Sequence, residues 1–232
     1  MYAHEKYLPR IKRHLPDYRF SWEILTELIL EQVTRKPNWL DVGAGDNILI
    51  AEQPGAEFAM GIGIQSPPDD LLLHRSFCAG DVCALPIKCG KFDFVTARYL
   101  FEHLARPEKA LEEIAQVLRP GGLFIMQTTN RLGPLILLGR MIPFAIKRRL
   151  IKIIFDKDEK STFRTYHKFN SLKTISRYSS HLMVEKIIMV DDVLYQKRPL
   201  FSFSFFISRL LELFGLHNLK NNIIVIFRKK AS

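Results

Sequence analysis

A chain of 232 residues, 47% of them hydrophobic, can bury one sizeable core, and a single domain over 1–232 is the expectation. The net charge of +10 is uneven: 14 Lys+Arg stand against 17 Asp+Glu up to Asn130, and 20 against 7 from Arg131 onward. No apolar run reaches the roughly 18 residues that span a bilayer, Met1–Lys6 lacks the apolar core of a signal peptide, and Cys78, Cys83 and Cys89 fit no zinc spacing, so reduced thiols in a cytoplasmic protein are expected.

Helical signals begin at Ser21, a candidate N-cap, ahead of a stripe of Trp22, Leu25, Leu28, Ile29 and Val33. Residues 1–36 therefore read as an N-terminal helical cap. Strands are expected near Trp39–Val42, over Phe58–Ile64, from about Phe77, and at Phe92–Thr96. Pro107–Leu118 reads as a helix with Pro and Glu108 in its first turn. Arg119-Pro120-Gly121-Gly122 should break the chain sharply before a fifth strand at Leu123–Thr128. Strands alternating with helical runs indicate an α/β fold with a parallel sheet and crossover helices. Two stretches, 131–169 and 191–220, interrupt that alternation and read as basic and aromatic insertions. Around them lie a helix candidate at Asn170–Ser180, a sixth strand at Met183–Val190 and a seventh at Asn222–Phe227.

The run Trp39–Asn47 carries the clearest chemistry. A buried strand ends in Asp41, and Gly43-Ala44-Gly45 then forms a tight turn before a helix from Ile48 to about Gln53. The two glycines let the backbone pass close to a ligand where a Cβ would collide. Backbone N–H groups at the start of the following helix then face that ligand. Nicotinamide, flavin and S-adenosylmethionine (SAM) all suit a strand–turn–helix. The dinucleotide fingerprint would put its third glycine at Ile48, whose branched side chain hinders close helix–strand packing, which disfavours NAD.

Four blocks then follow one another in order: Leu40–Gly45, Gly80-Asp81-Val82-Cys83-Ala84-Leu85-Pro86, Phe92–Val95 through Phe101-Glu102-His103-Leu104, and Leu118–Leu123. On these blocks the stretch from Pro37 to Asn130 resembles the class I SAM-dependent methyltransferases of the small-molecule type, which include the ubiquinone-pathway enzymes. Thr162–His167 also resembles bacterial members whose genes accompany cell-surface polysaccharide synthesis. The resemblance implies a Rossmann-like, doubly wound sheet of seven strands, mostly parallel with an antiparallel last strand, flanked by helices. It implies SAM as cofactor, with Asp41, Gly43, Ala44 and Gly45 at its methionine end. Asp81 would then accept from the adenine amino group, and Val82 would offer a backbone N–H to the ring. A turn cap after Gly80 is the plainer reading of Asp81. Asp93, usually structural in this family, is not placed in the site.

Two positions depart from the family pattern. Asn47 replaces a third glycine, and Asn tolerates a left-handed backbone. Gly63 stands where an acid grips the ribose hydroxyls; Gln65, on the same side of an extended strand, is the expected substitute. His103, just after the fourth strand, is the candidate catalytic base, with a packing role as the alternative. Tyr99, Asn130, Tyr166 and His167 are candidates for lining the acceptor pocket. Metal-binding relatives carry Glu-x-x-Glu-His, whose first acid is missing from Tyr99–His103, so no metal is expected.

The acceptor is expected to be a small molecule, most simply a hydroxyl of a saccharide, lipid-linked or secondary metabolite. The basic second half suggests an anionic partner, and Leu132–Phe155 reads either as an interfacial element at the inner membrane surface or as a lid with its cations in water. A binding protein that has lost the cofactor is a second class, favoured by Gly63. Methylation of nucleic acid is a third, opposed by the absence of Asn/Asp-Pro-Pro-aromatic at Thr96–Tyr99.

Overall fold

The computed structural model describes residues 5–45, 49–52, 55–64, 76–143, 146, 149, 152, 163–178 and 181–231. In chain order the elements are α1 (Leu8–His14), α2 (Ser21–Val33), β1 (Asn38–Val42), α3 (Leu49–Glu52), β2 (Phe58–Gly63), β3 (Ser76–Ala79) and β4 (Phe92–Arg98). A 3₁₀ turn (Phe101–His103), α4 (Pro107–Val117), β5 (Leu118–Thr129), α5 (Pro134–Met141), α6 (Leu172–Ser176), β6 (Leu182–Val190), α7 (Arg198–Leu213), a second 3₁₀ turn (His217–Leu219) and β7 (Asn222–Lys229) follow.

All seven strands join one sheet in the order β3-β2-β1-β4-β5-β7-β6. The pairs from β3 to β5 are parallel, whereas β7 runs antiparallel to both β5 and β6. The doubly wound sheet with an antiparallel last strand is therefore present.

Period-two alternation sorts the strands onto two faces. Leu40, Val42, Val95, Ala97, Phe124, Met126, Val225 and Phe227 pack on one side, against Ala110, Leu111 and Ile114 of α4. Trp39, Phe94, Ile125 and Ile224 pack on the other, against Leu25, Ile29 and Val33 of α2. A third cluster joins Ile11 of α1, Phe20, Val193, and Phe201 and Phe205 of α7. The N-terminal cap and the second insertion thus share one apolar contact.

Several local expectations shift. The Arg119–Gly122 break lies inside β5: Leu118 pairs with Phe92 and Leu123 with Phe94, so the intervening residues bulge out and pairing resumes. Ser21 is the first residue of α2 rather than its cap. Phe20 precedes the helix and its N–H donates to Glu23 Oε2 at 2.7 Å. The aromatic stretch near Leu200–Leu216 is helical over Arg198–Leu213, and the helix expected over Asn170–Ser180 contracts to Leu172–Ser176 behind a Ser171 cap. Asp93 anchors the sheet from outside the site, accepting from Asn38 N at 2.9 Å and pairing with Arg119 at 2.7 Å.

Candidate active site

β1 leads to β2 and β3 on one side of the sheet, while β4 leads to β5 on the other. The crevice beyond the carboxyl ends of β1 and β4 lies at that switch of direction, where ligands bind in open α/β sheets. Toward this edge the α2-facing side of the sheet changes character. Trp39, Phe94, Ile125 and Ile224 give way to Asp41, Thr96, Arg98, Gln127 and Asn222.

Asp41 is buried at the end of β1. Trp39 Nε1 donates to Thr96 Oγ1 at 2.9 Å, and that hydroxyl donates to Asp41 Oδ1 at 2.5 Å. Oδ2 has no hydrogen-bond partner among the described residues. Burial raises the Asp41 carboxyl to about 7, against the lowering pull of the Thr96 hydroxyl and the Arg98 charge. A buried carboxylate with one oxygen fixed and the other unpartnered suits a cationic ligand group.

The turn after Asp41 is built from left-handed backbone, with φ of +75° at Gly43 and +45° at Gly45. A Cβ on Gly43 would also lie 3.0 Å from the Leu100 side chain. Gly43 N and Ala44 N both donate to Ile62 O, at 2.7 and 3.0 Å. These two N–H groups brace the loop on β2, so they are not the donors that face a ligand. Asn47 and Gln65 lie outside the described residues.

Gly63, the last residue of β2, accepts from Gly80 N at 2.9 Å, which sets Asp81 just past β3 beside it. Asp81 Oδ1 caps the next turn by accepting from Cys83 N at 2.8 Å. Val82 is buried in the core. The capping role and a second, ligand-directed role are compatible, because a carboxylate has two oxygens.

On the far side of the crevice Tyr99 follows β4 with φ of +51°, a conformation rare for a bulky residue. Its hydroxyl accepts from Gln127 Nε2 at 2.8 Å and donates to Asn222 Oδ1 at 3.2 Å. Ser21 joins the same cluster, accepting from Gln127 Nε2 at 2.7 Å while its N–H donates to Asp192 Oδ1 at 2.7 Å. Burial raises both the Asp192 carboxyl and the Tyr99 hydroxyl above their ordinary values. Tyr99 is thus held as a clamp between α2, β5 and β7.

His103, Tyr166 and His167 converge on the 3₁₀ turn after β4. His103 Nδ1 lies 3.0 Å from Arg164 O, and its ring meets Phe163 edge-on with centroids 5.8 Å apart. A carbonyl only accepts, so Nδ1 carries the proton and Nε2 the lone pair in the neutral ring. Tyr166 N and His167 N donate to Glu102 O at 2.7 and 3.2 Å. Tyr166 is exposed beneath the Arg164 guanidinium, and His167 is buried with φ of +49°. Asn130 points elsewhere: its Nδ2 donates to Asn218 O and Lys220 O at 3.0 and 2.8 Å, and its Oδ1 accepts from Leu132 N at 3.1 Å.

Glu102 is the site residue that sequence reasoning left unassigned. Its buried Oε2 accepts from Thr128 Oγ1 at 2.9 Å, Asn170 Nδ2 reaches the same threonine oxygen, and burial raises the carboxyl to about 7. The Glu102-His103 pair was its only sequence signal, and only the fold brings Thr128 and Asn170 to it. Asp192, which follows an apolar strand as half of an acidic pair, was equally legible only in part.

Residues 40–126 match the family model described as "Methyltransferase domain". The matched span holds Asp41, the glycine turn, Asp81, Tyr99 and His103.

Over that stretch the chain is similar to the methyltransferase-domain family.

The chain is similar to the demethylmenaquinone methyltransferase of Thermus thermophilus, 34% identical over 112 residues that cover 43% of this chain and 50% of that protein. The match thus spans about half the length of that relative. Two solved structures share the fold. The [4+2]-cyclase SpnF superposes with a TM-score of 0.56 at 16% identity, covering 92% of this chain and 85% of that one. The N-methyltransferase NodS of Bradyrhizobium japonicum WM9, solved with S-adenosyl-L-homocysteine, gives 0.55 at 14%, covering 93% and 90%. At such identities the chain shares architecture with both and no more.

Proposed function

We propose that the protein transfers the methyl group of SAM to a hydroxyl-bearing small molecule. The observation that carries this reading is the buried, unpartnered oxygen of Asp41 at the switch point of the sheet. That carboxylate suits the ammonium of the methionine moiety. Gly43 and Gly45 give the backbone its close approach, and Asp81 keeps one oxygen for the adenine amino group. Asn47 and Val82 are proposed to complete the cradle through backbone groups. Gly63 leaves the ribose without the usual acid, and Gln65 is proposed in its place.

SAM supplies a methyl already activated by its sulfonium, so the protein has mainly to align the acceptor and remove a proton. His103 is the proposed base, since its Nδ1–H is held by Arg164 O and leaves Nε2 as the basic nitrogen. Tyr99, Tyr166 and His167 are proposed around the acceptor, Tyr166 facing it and the other two positioning the walls, while Asn130, turned to the loop before β7, is proposed only to hold that loop in place. The acceptor is a saccharide, lipid-linked or other secondary metabolite. A second reading is methylation at carbon, favoured by the name of a Methylobacterium nodulans relative, a ubiquinone/menaquinone biosynthesis C-methyltransferase. An ionised phenol is nucleophilic at oxygen and at ring carbon, so the same base serves both. The positive second half is proposed to meet an anionic membrane surface.

Calorimetry with SAM and with S-adenosyl-L-homocysteine tests the first step. Saturable binding that Asp41→Asn weakens by about tenfold or more is expected for loss of a charge-assisted contact. A flat titration would overturn the reading. Gly63→Asp should tighten SAM binding by restoring a bidentate ribose contact, and Gln65→Ala should weaken it.

A further inference from the structure

α5 is an apolar helix, Pro134–Met141, with no buried residue. Leu137 and Leu138 are about half exposed and Met141 is 82% exposed. Such a surface is unusual, because an amphipathic helix normally turns its apolar side to the core. Its first turn is fixed firmly: Leu135 N donates to Asn221 Oδ1 at 3.0 Å, and Asn130 holds the carbonyls of Asn218 and Lys220. The same junction receives the end of α7, where Leu213 is 76% and Phe214 67% exposed, beside exposed Leu216. Two sets of bare apolar side chains therefore flank one junction at the carboxyl edge of the sheet, where β5 ends and β7 begins.

In sequence the charge flanking α5 has one sign, and Glu212 at the end of α7 is paired with Lys220. Between Arg131 and Phe155 stand Arg131, Arg140, Lys147, Arg148, Arg149 and Lys152, with no Asp or Glu. Arg140, Arg149 and Lys152 are at least partly exposed. Two copies meeting through α5 would bring their exposed Arg140 side chains together, which disfavours a symmetric dimer.

We propose that this face, α5 with the end of α7, seats the protein on an anionic phospholipid surface. Apolar side chains enter the acyl boundary while the cations meet headgroups, as in interfacial helices. The crevice edge then faces the bilayer, and the acceptor class narrows to amphiphiles dissolved in it. That last consequence rests on the methyl-transfer reading; the docking does not.

Sedimentation with vesicles decides it, using phosphatidylcholine alone and phosphatidylcholine with phosphatidylglycerol. Binding at least about tenfold tighter to the anionic vesicles, weakening as salt is added, is expected. The triple variant Leu137→Ser, Leu138→Ser, Met141→Ser should lose about tenfold. Arg140→Glu should weaken binding without touching the apolar face. Both variants should keep the wild-type melting temperature and its shift with SAM. Equal binding to both vesicle types, no binding, unchanged binding by the variants, or a dimer that the triple variant dissociates would each overturn the proposal. Vesicle binding without any SAM shift would leave the docking standing and remove the methyl-transfer reading.

Discussion

Asp41 is stabilised as an ion by Thr96 and Arg98 and still holds its proton up to about 7, because burial outweighs both. The consequence for stability has a definite sign. An unfolded Asp ionises near its ordinary value of about 4, whereas the folded one retains its proton to about 7. Between those values the folded state holds the extra proton, so this residue's contribution falls as pH rises and stays low above about 7. Asp41→Asn should therefore gain in melting temperature relative to wild type between pH 4 and pH 7, with the difference level beyond. Melting curves of both proteins across that range check it. For SAM the direction reverses: the ammonium pairs with the ionised carboxylate, so affinity should drop as pH falls below about 7, with proton release on binding near that value. Calorimetry in buffers of different ionisation enthalpy reads that release. The sequence made Asp41 legible, because a strand and a glycine turn frame it. Its environment was not, since Trp39 and Thr96 reach it only through the pairing of β1 with β4.

At the scale of elements, α2 is tied to the crevice by its first residue. Ser21 links Asp192, Gln127 and, at 3.4 Å, the Tyr99 hydroxyl. Ser21→Ala strips a partner from several buried polar groups at once and should destabilise the fold by about 1–3 kcal/mol, measured by denaturant unfolding. Reading Ser21 as an N-cap erred for a physical reason: capping chemistry looks a few residues ahead, while the true acceptor lies 171 residues away. The same limit applies to β5. Pro and Gly in Arg119–Gly122 signal a break locally, yet pairing with β4 on both sides carries the strand through as a bulge. Short apolar runs, in contrast, located the other six strands of the sheet to within two residues, because each of those strands carries its signal in its own side chains.

For the whole molecule, strands from both halves of the chain share one sheet, and α1 packs with α7 across 190 residues of sequence from Ile11 to Phe201. A single cooperative unit is the expectation that these contacts among the described residues put to the test. Denaturant unfolding followed by tryptophan fluorescence and by far-ultraviolet circular dichroism should give coincident single transitions. Trp39, fully buried in the core, reports tertiary packing in the first signal. Separate midpoints would divide the chain into two units.

The position of β7 has a consequence for biosynthesis. This strand is encoded after β6 yet lies between β5 and β6. While a ribosome is still making it, β5 presents an open apolar edge and β6 has nothing to pair with. The nascent polypeptide therefore waits for its final strand before the sheet can close, and that interval is when a chaperone would have most to do.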